Sequence, residues 1–196
     1  MLIDKSVRDL LSAFASSDPT PGGGSAAALA ASVGAALLTM VTGLPKTRSG
    51  ADEDRVALTE AASALAGIRE QLTHAIDADA AAYDRVVAAY KRPKVSDEDK
   101  AARSAAVQAA LREATAVPLR VMRLSSQALE VAKTVGAHGH PGASSDVGVA
   151  VALLRAGFEG ARLNVDANLG GIRDDAYTTA VAAEVTALTA RVSSSV

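Results

Sequence analysis

The fold is decided by Asp52–Tyr90, DEDRVALTEAASALAGIREQLTHAIDADAAAYDRVVAAY, a run that no proline interrupts. Apolar residues recur along it at Leu65, Ile68, Leu72, Ile76, Tyr83, Val86 and Tyr90, at alternating spacings of three and four, which marks one face of a long α-helix. Of its aspartates, Asp79 falls on that apolar stripe, whereas Asp77 and Asp84 lie more than about 90° away at ~100° per residue and read as solvent-facing charges. Burial disfavours a charged carboxylate, so a carboxyl group in apolar surroundings can exchange protons near neutrality. Asp79 is therefore the first catalytic candidate. Pairing with a lysine or arginine, or capping of a neighbouring helix, explains the same placement. Tyr83, one turn further on, either shares a pocket with Asp79 or belongs to the core.

Working outward, Ser6 and Asp9 resemble a capping box ahead of Val7, Leu10, Leu11 and Phe14, which predicts a short first helix before the glycine loop. The chain then breaks at Thr20-Pro21-Gly22-Gly23-Gly24-Ser25, directly before an alanine-rich helix predicted from Ser25 to Leu44. Pro21, Gly22, Gly23, Gly24 and Ser25 fit two roles: free helix-start amides that hold a polar or anionic ligand, or a joint that lets two helices pack closely. After the long third helix, Ser96 and its acidic followers start a fourth, which Pro118 is expected to interrupt or kink. A loop is expected over Gly136–Gly142, a fifth helix from Ser144 to Leu169, and a last helix from Asp174-Asp175 through Val181, Val185 and Leu188. Strand alternation and repeats of solenoid period are absent. The expected architecture is all-α: residues 1–196 as one domain, a bundle of about six helices.

Composition supports this and narrows the function. The 196 residues are 49% hydrophobic but include only three tyrosines, two phenylalanines and no tryptophan, so the core is built from alanine, valine and leucine. A formal net charge of -2 provides no general basic field for nucleic acid or an anionic membrane. Cysteine is absent, which removes thiolate chemistry and disulfides. The alanine-rich second helix is about as long as a membrane span, but its Ala, Gly, Ser and Thr content reads as a buried helix of a soluble protein. No signal-peptide pattern opens the chain, and a cytoplasmic location is expected.

The fifth helix carries a second polar feature, because Asp146, Asn164 and Asn168 share one side with Gly157 and Gly160. Asp146 and Asn164 would stand about 27 Å apart at ~1.5 Å per residue, too far to share one small pocket within a subunit. Capping and interhelical amide bridging account for these residues as well as ligand binding does. His138 and His140 lack further ligands at metal spacing, so no metal is expected. Lys91, Arg92 and Lys94 form the densest basic cluster and read as a solvated linker.

Taken in order, Pro21-Gly22-Gly23-Gly24-Ser25, Asp77-Ala78-Asp79-Ala80-Ala81-Ala82-Tyr83, Arg92-Pro93-Lys94, Val117-Pro118-Leu119, Ser145-Asp146 and Gly160–Leu169 resemble the formiminotransferase-cyclodeaminase C-terminal family across nearly the whole chain. The resemblance implies a helical subunit that dimerises, a cleft for a tetrahydrofolate derivative near the glycine loop, no tightly bound cofactor, and catalysis by the second aspartate of Asp-Ala-Asp, here Asp79. By the same resemblance Gly22, Gly23, Gly24 and Ser25 match the family's glycine loop, and Asp146, Asn164 and Asn168 match its other polar positions. The chain departs from the family at Thr42–Arg48, where an Asn-Leu-Thr-like segment with lysines is common, at His140, and at Asp166.

The implied reaction is conversion of 5-formimidoyltetrahydrofolate to 5,10-methenyltetrahydrofolate and ammonia. Hydrolysis of the methenyl bridge to 10-formyltetrahydrofolate is the alternative, and a non-catalytic helical partner-binding protein is a third reading. The expected partners are a folate substrate and a second copy of the chain, with no nucleic acid and no membrane.

Overall fold

The computed structural model describes residues 1–194, so the last two residues of the serine-rich tail lie outside the described residues. Six α-helices follow one another: α1 Val7–Phe14, α2 Gly23–Thr42, α3 Asp52–Tyr90, α4 Asp97–His138, α5 Ser144–Leu169 and α6 Asp175–Ser193. Helices α2 to α5 form the bundle, α2 lying against α3 and α5, and α4 against α3 and α5. Leu38, Leu65, Leu72, Met122 and Leu154 are fully buried at its centre. At about 1.5–3 kcal/mol for each such side chain, this core is the main source of stability.

The α2–α5 contact is made by backbones. A Cβ on Gly157 would lie 2.7 Å from the Ala27 carbonyl oxygen, and one on Gly34 would lie 2.8 Å from that of Ala150, so only glycine permits the approach. The small residues beside Asn164 on α5 thus serve helix packing, and they draw α5 against the start of α2.

Helix starts follow their caps. Ser6 Oγ accepts from the Asp9 amide at 3.2 Å to start α1, and Ser96 and Asp99 form a reciprocal capping box at the start of α4. Three observations go beyond the local sequence signals. First, α1 forms with its expected cap but fully buries no residue, and Val7 and Leu11 are exposed.

Second, Pro118 does not interrupt α4, which runs continuously from Asp97 to His138. Proline removes the amide that would bond the carbonyl four residues back. That carbonyl belongs to Ala114, and Asn168 Nδ2 of α5 donates to it at 2.9 Å. The free acceptor is satisfied from the neighbouring helix, and α4 extends into the stretch expected as loop.

Third, Tyr83 and Tyr90 leave the core. Helix α2 begins at Gly23, beside Asp79, and beyond that point α3 packs mainly on α4. The buried residues of α3 accordingly shift to Ala82, Val86 and Ala89, which meet Val107, Ala110 and Leu111 of α4 in a second, smaller core.

The α2–α3 loop is tied down at the far end of the bundle. Asp54 accepts from the Ser49 amide and hydroxyl, both at 2.7 Å, and pairs with His138 Nδ1 at 2.7 Å. The Ser49 amide, then His138 and the Ser49 hydroxyl, hold the Asp54 carboxyl far below its usual range. Thr47 and Gly139 form an isolated antiparallel bridge beside this network.

Candidate active site

Asp77, Asp79 and Asp84 of α3 each meet a different part of the chain that precedes α3. Asp77, expected to face solvent, accepts from the amides of Leu2 and Ile3 and holds the opening turn of the chain. Asp84 accepts from the Thr20 hydroxyl at 3.3 Å and ties the segment before the glycines to α3. Asp79, between them, meets the start of α2.

There the third glycine of the loop has a specific task. A Cβ at Gly24 would overlap the Asp79 carboxylate, so the acid lies directly on the backbone of α2. None of Gly22, Gly23 and Gly24 has positive φ; what the site requires is space at Gly24. Ser25, fully buried, donates its hydroxyl to Asp79 Oδ2 at 3.0 Å. Burial pushes the Asp79 carboxyl above its usual range, and the Ser25 hydroxyl and backbone amide offset part of that rise. Asp79 forms no ion pair with a lysine or arginine among the described residues, so burial outweighs the charge-stabilising contacts around it.

The carboxyl group opens into a pocket of about 280 Å³. Gly22, Gly23 and Gly24 form one wall; Tyr83, Ala114, Asn164 and Asn168 form the others, with Pro19 and Thr20 at the rim. The N-cap of α2 is Gly22, which has no side chain to bond the first amides of the helix. Asn164 Nδ2 donates to the Gly160 carbonyl at 2.8 Å, and Asn168 is fixed by the Ala114 carbonyl that Pro118 leaves free. Tyr83, 45% exposed, adds an aromatic side chain to the lining.

The remaining sequence candidates fall outside this pocket. Pro21 does not line it, and Ser25 lies behind Asp79 rather than in the wall. Asp146 stands at the opposite end of α5, about 27 Å from Asn164 at ~1.5 Å per residue. Sequence reasoning missed Ala114, although Pro118 signals a carbonyl that must find a donor four residues upstream. A larger groove of about 490 Å³ lies between α3 and α4, lined by Gln71, His74, Arg120 and Arg123. It holds no carboxyl group, and its arginines are engaged, Arg120 by Gln71 and Arg123 by Glu184. Of the two, the Asp79 pocket is the one lined by a carboxyl group.

A proton-transferring enzyme on a helical bundle is the class that these features define. Residues 6–187 match the family described as Formiminotransferase-cyclodeaminase. Methenyltetrahydrofolate cyclohydrolase of Methylorubrum extorquens is 40% identical over 174 residues, covering 89% of this chain and 84% of that protein. Formimidoyltransferase-cyclodeaminase of Rattus norvegicus is 34% identical over 176 residues, covering 90% of this chain but 32% of that protein. This chain thus spans about a third of the rat relative's length. The crystal structure of formiminotetrahydrofolate cyclodeaminase from Thermotoga maritima, 24% identical, has the same fold, with a TM-score of 0.88 over 100% of this chain and 93% of that one. The chain belongs to the formiminotransferase-cyclodeaminase family.

Proposed function

We propose that this protein converts 5-formimidoyltetrahydrofolate to 5,10-methenyltetrahydrofolate and ammonia, with Asp79 carrying the proton. The observation that carries the reading is a half-buried carboxyl group, raised in pKa, held on a glycine backbone and opening into a pocket of ligand-binding character. N10 attacks the carbon of the protonated formimidoyl group and forms the N10–C bond. The Asp79 carboxylate takes the N10 proton and returns it to the amine nitrogen. The C–N bond to that nitrogen then breaks, ammonia leaves, and the cationic methenyl bridge remains. One carboxyl group serves both transfers because its pKa lies closer to neutrality than that of a free aspartate. The glycine wall, Asn164 and Asn168 orient the ring system, so that N10 meets the carbon at reacting distance.

The second reading is favoured by the Methylorubrum relative, a cyclohydrolase matched over most of its length. In that reaction Asp79 takes a proton from water as it adds to the methenyl carbon, then returns the proton to N5 as the C–N5 bond breaks; the remaining hydroxyl proton is lost to solvent, the C=O bond forms, and 10-formyltetrahydrofolate results. In either case the protein acts in the cytoplasm as a homodimer without a tightly bound cofactor. An absorbance time course with each substrate separates the two reactions. Growth of the methenyl band from the formimidoyl substrate supports the deaminase, accelerated loss of that band from the methenyl substrate supports the hydrolase, and silence in both with folded protein refutes both.

A further inference from the structure

The pocket is too small for the substrate that the proposed function assigns to it. At about 280 Å³ it lies just below the ~300–1,000 Å³ of typical ligand sites. It has room for the reacting ring system, so the aminobenzoyl-glutamate arm of a folate must leave through the mouth, and the charges around the mouth decide the direction. Past Thr20 the arm would meet exposed Asp84, which accepts from the Thr20 hydroxyl, and exposed Asp18. Both repel the carboxylates at the arm's end. Past Tyr83 it meets a different surface.

Toward the α3–α4 linker, the face of α3 that carries Asp79 continues through Tyr83 and Tyr90, which fall within about 40° of it at ~100° per residue. They are 45% and 49% exposed. Helix α4 runs antiparallel alongside, with Gln71 opposite Arg120 and Arg85 opposite Glu113. Arg103 is eleven residues from the wall residue Ala114, as Tyr90 is from Asp79, so the two helices carry Arg103 and Tyr90 to one level, ~16.5 Å beyond the pocket's acid. There they touch: Arg103 Nε donates to the Tyr90 carbonyl at 3.0 Å, and its guanidinium lies 5.4 Å from the centre of the Tyr90 ring. Arg173 reaches the same level from the chain that follows the α5 wall. Its amide donates to Gln108 Oε1 at 2.8 Å and its Nη1 to Ser104 Oγ at 3.1 Å. Val86, Val107 and Leu111 of the smaller core stand between the pocket and this level.

The two guanidinium groups are positioned without being neutralised. Arg85 and Arg112, on the same pair of helices, have carboxylate partners in Glu113 and Asp174. Arg103 and Arg173 are held by a carbonyl, a hydroxyl and an aromatic ring, and neither meets a carboxylate among the described residues. Each keeps N–H donors of the planar fork that fits a carboxylate. Beyond them Lys91, Arg92 and Lys94 are exposed. Of the acids that open α4, Asp97 pairs with Lys100 and Asp99 is engaged in the Ser96 cap, and Glu98 is the remaining one.

We propose that this strip is the subsite for the glutamate end of the substrate: Tyr83 and Tyr90 flank the aminobenzoyl ring, and Arg103 and Arg173 bind the carboxylates. The proposal rests on the folate reading above and adds to it the group by which the protein tells a folate from its pteroate analogue, which lacks the glutamate. A tail lengthened through its γ-carboxyl runs on toward Lys91, Arg92 and Lys94. The arginines act far from the reacting atoms, so they set affinity rather than the height of the chemical barrier.

Isothermal titration with tetrahydrofolate and with tetrahydropteroate reads the subsite without turnover. Wild type should bind tetrahydrofolate roughly tenfold more tightly or better. Arg103→Gln and Arg173→Gln should each weaken tetrahydrofolate binding by up to about fivefold, the upper range for an exposed charge pair, and the double variant should bind the two ligands alike. Tetrahydropteroate affinity should hardly change in any of them, and Arg103→Lys, which keeps the charge, should recover part of the loss. In turnover the same variants should raise KM, with a smaller effect on kcat. Equal affinity of wild type for the two ligands, or a double variant that keeps the wild-type preference, would overturn the inference and leave the proposed reaction standing. Binding of neither ligand would remove that reaction and the subsite with it. Should circular dichroism show that a substitution unfolds the chain, the wild-type preference itself decides: it should shrink as ionic strength rises from about 0.01 M to about 1 M, and a preference insensitive to salt would refute a charged subsite.

Discussion

Replacing the three loop glycines one at a time by alanine separates a packing role from a catalytic one. At Gly22 the added Cβ would find its nearest neighbour, the Pro19 carbonyl oxygen, at 3.8 Å, and at Gly23 the nearest is Asn164 Nδ2 at 3.5 Å. Both are ordinary contacts. At Gly24 the Cβ would lie 2.5 Å from Asp79 Cγ and 2.7 Å from Oδ2, with Oδ1 closer still. Normal contact begins near ~3.5 Å, so the carboxylate must retreat by about 1 Å. A shift of that size costs on the order of 10²-fold in rate when it moves a reacting group. Losing the Ser25 bond to a charged group costs about 1.5–3 kcal/mol, and alanine in a helix returns up to ~1 kcal/mol relative to glycine. Gly24→Ala should therefore be destabilised by only about 1–2 kcal/mol while its kcat/KM falls at least a hundredfold. Gly22→Ala and Gly23→Ala should stay within a few-fold of wild type. Initial rates of methenyl formation, with urea unfolding of each variant, provide the comparison. A Gly24→Ala enzyme within threefold of wild type, or a Gly23→Ala enzyme equally impaired, would refute the reasoning.

Asp79→Asn should lower kcat by about 10²–10⁴ while remaining folded, the usual range for loss of a general acid–base group. The pKa of this acid is raised in the folded state, so its stabilising contribution is complete below its unfolded value near 3.8 and is lost as pH rises through the folded value. At neutral pH Asp79→Asn should therefore unfold at the same or a higher temperature than wild type, measured by circular dichroism. Asp54 has the opposite sign: its folded pKa is depressed, so the stability it provides is present above about 3.8 and is lost on acidification below that value. Melting temperatures recorded from pH 5 downward should fall more steeply for wild type than for Asp54→Asn. Pro118→Ala restores an amide that competes with Asn168 for the Ala114 carbonyl, so KM should rise severalfold with no loss of melting temperature, given that proline costs up to ~3 kcal/mol inside a helix.

The elements most legible in the sequence were those with local signals. Asp52–Tyr90 and Ser144–Leu169 form with the expected ends, and Ser96 caps α4 as its sequence indicates. Asp79 was visible because helical periodicity places a charge on an apolar stripe, and burial of that stripe is a property of the helix itself. Asp77 was misread because its partners, the amides of Leu2 and Ile3, are remote in sequence and supplied only by the fold. Tyr83 was ambiguous because the stripe continues unbroken to Tyr90 although α2, which would have covered it, begins beside Asp79. Pro118 gave a correct local signal, a missing helical bond, but the donor that compensates for it is on another helix. The glycine loop left two roles open, and at Gly24 the structure shows a third requirement, room for the Asp79 carboxylate against the backbone of α2.

The central claim is that Asp79 is the proton-transferring group and that its environment sets its pKa. The pH dependence of kcat/KM for methenyl formation, compared between wild type and Ser25→Ala, tests this most directly. Ser25 lowers the Asp79 pKa by donating to its carboxylate, so removing the hydroxyl should displace the acid limb of the profile to higher pH. An acid limb that does not move would show that another group carries the proton and would contradict the account.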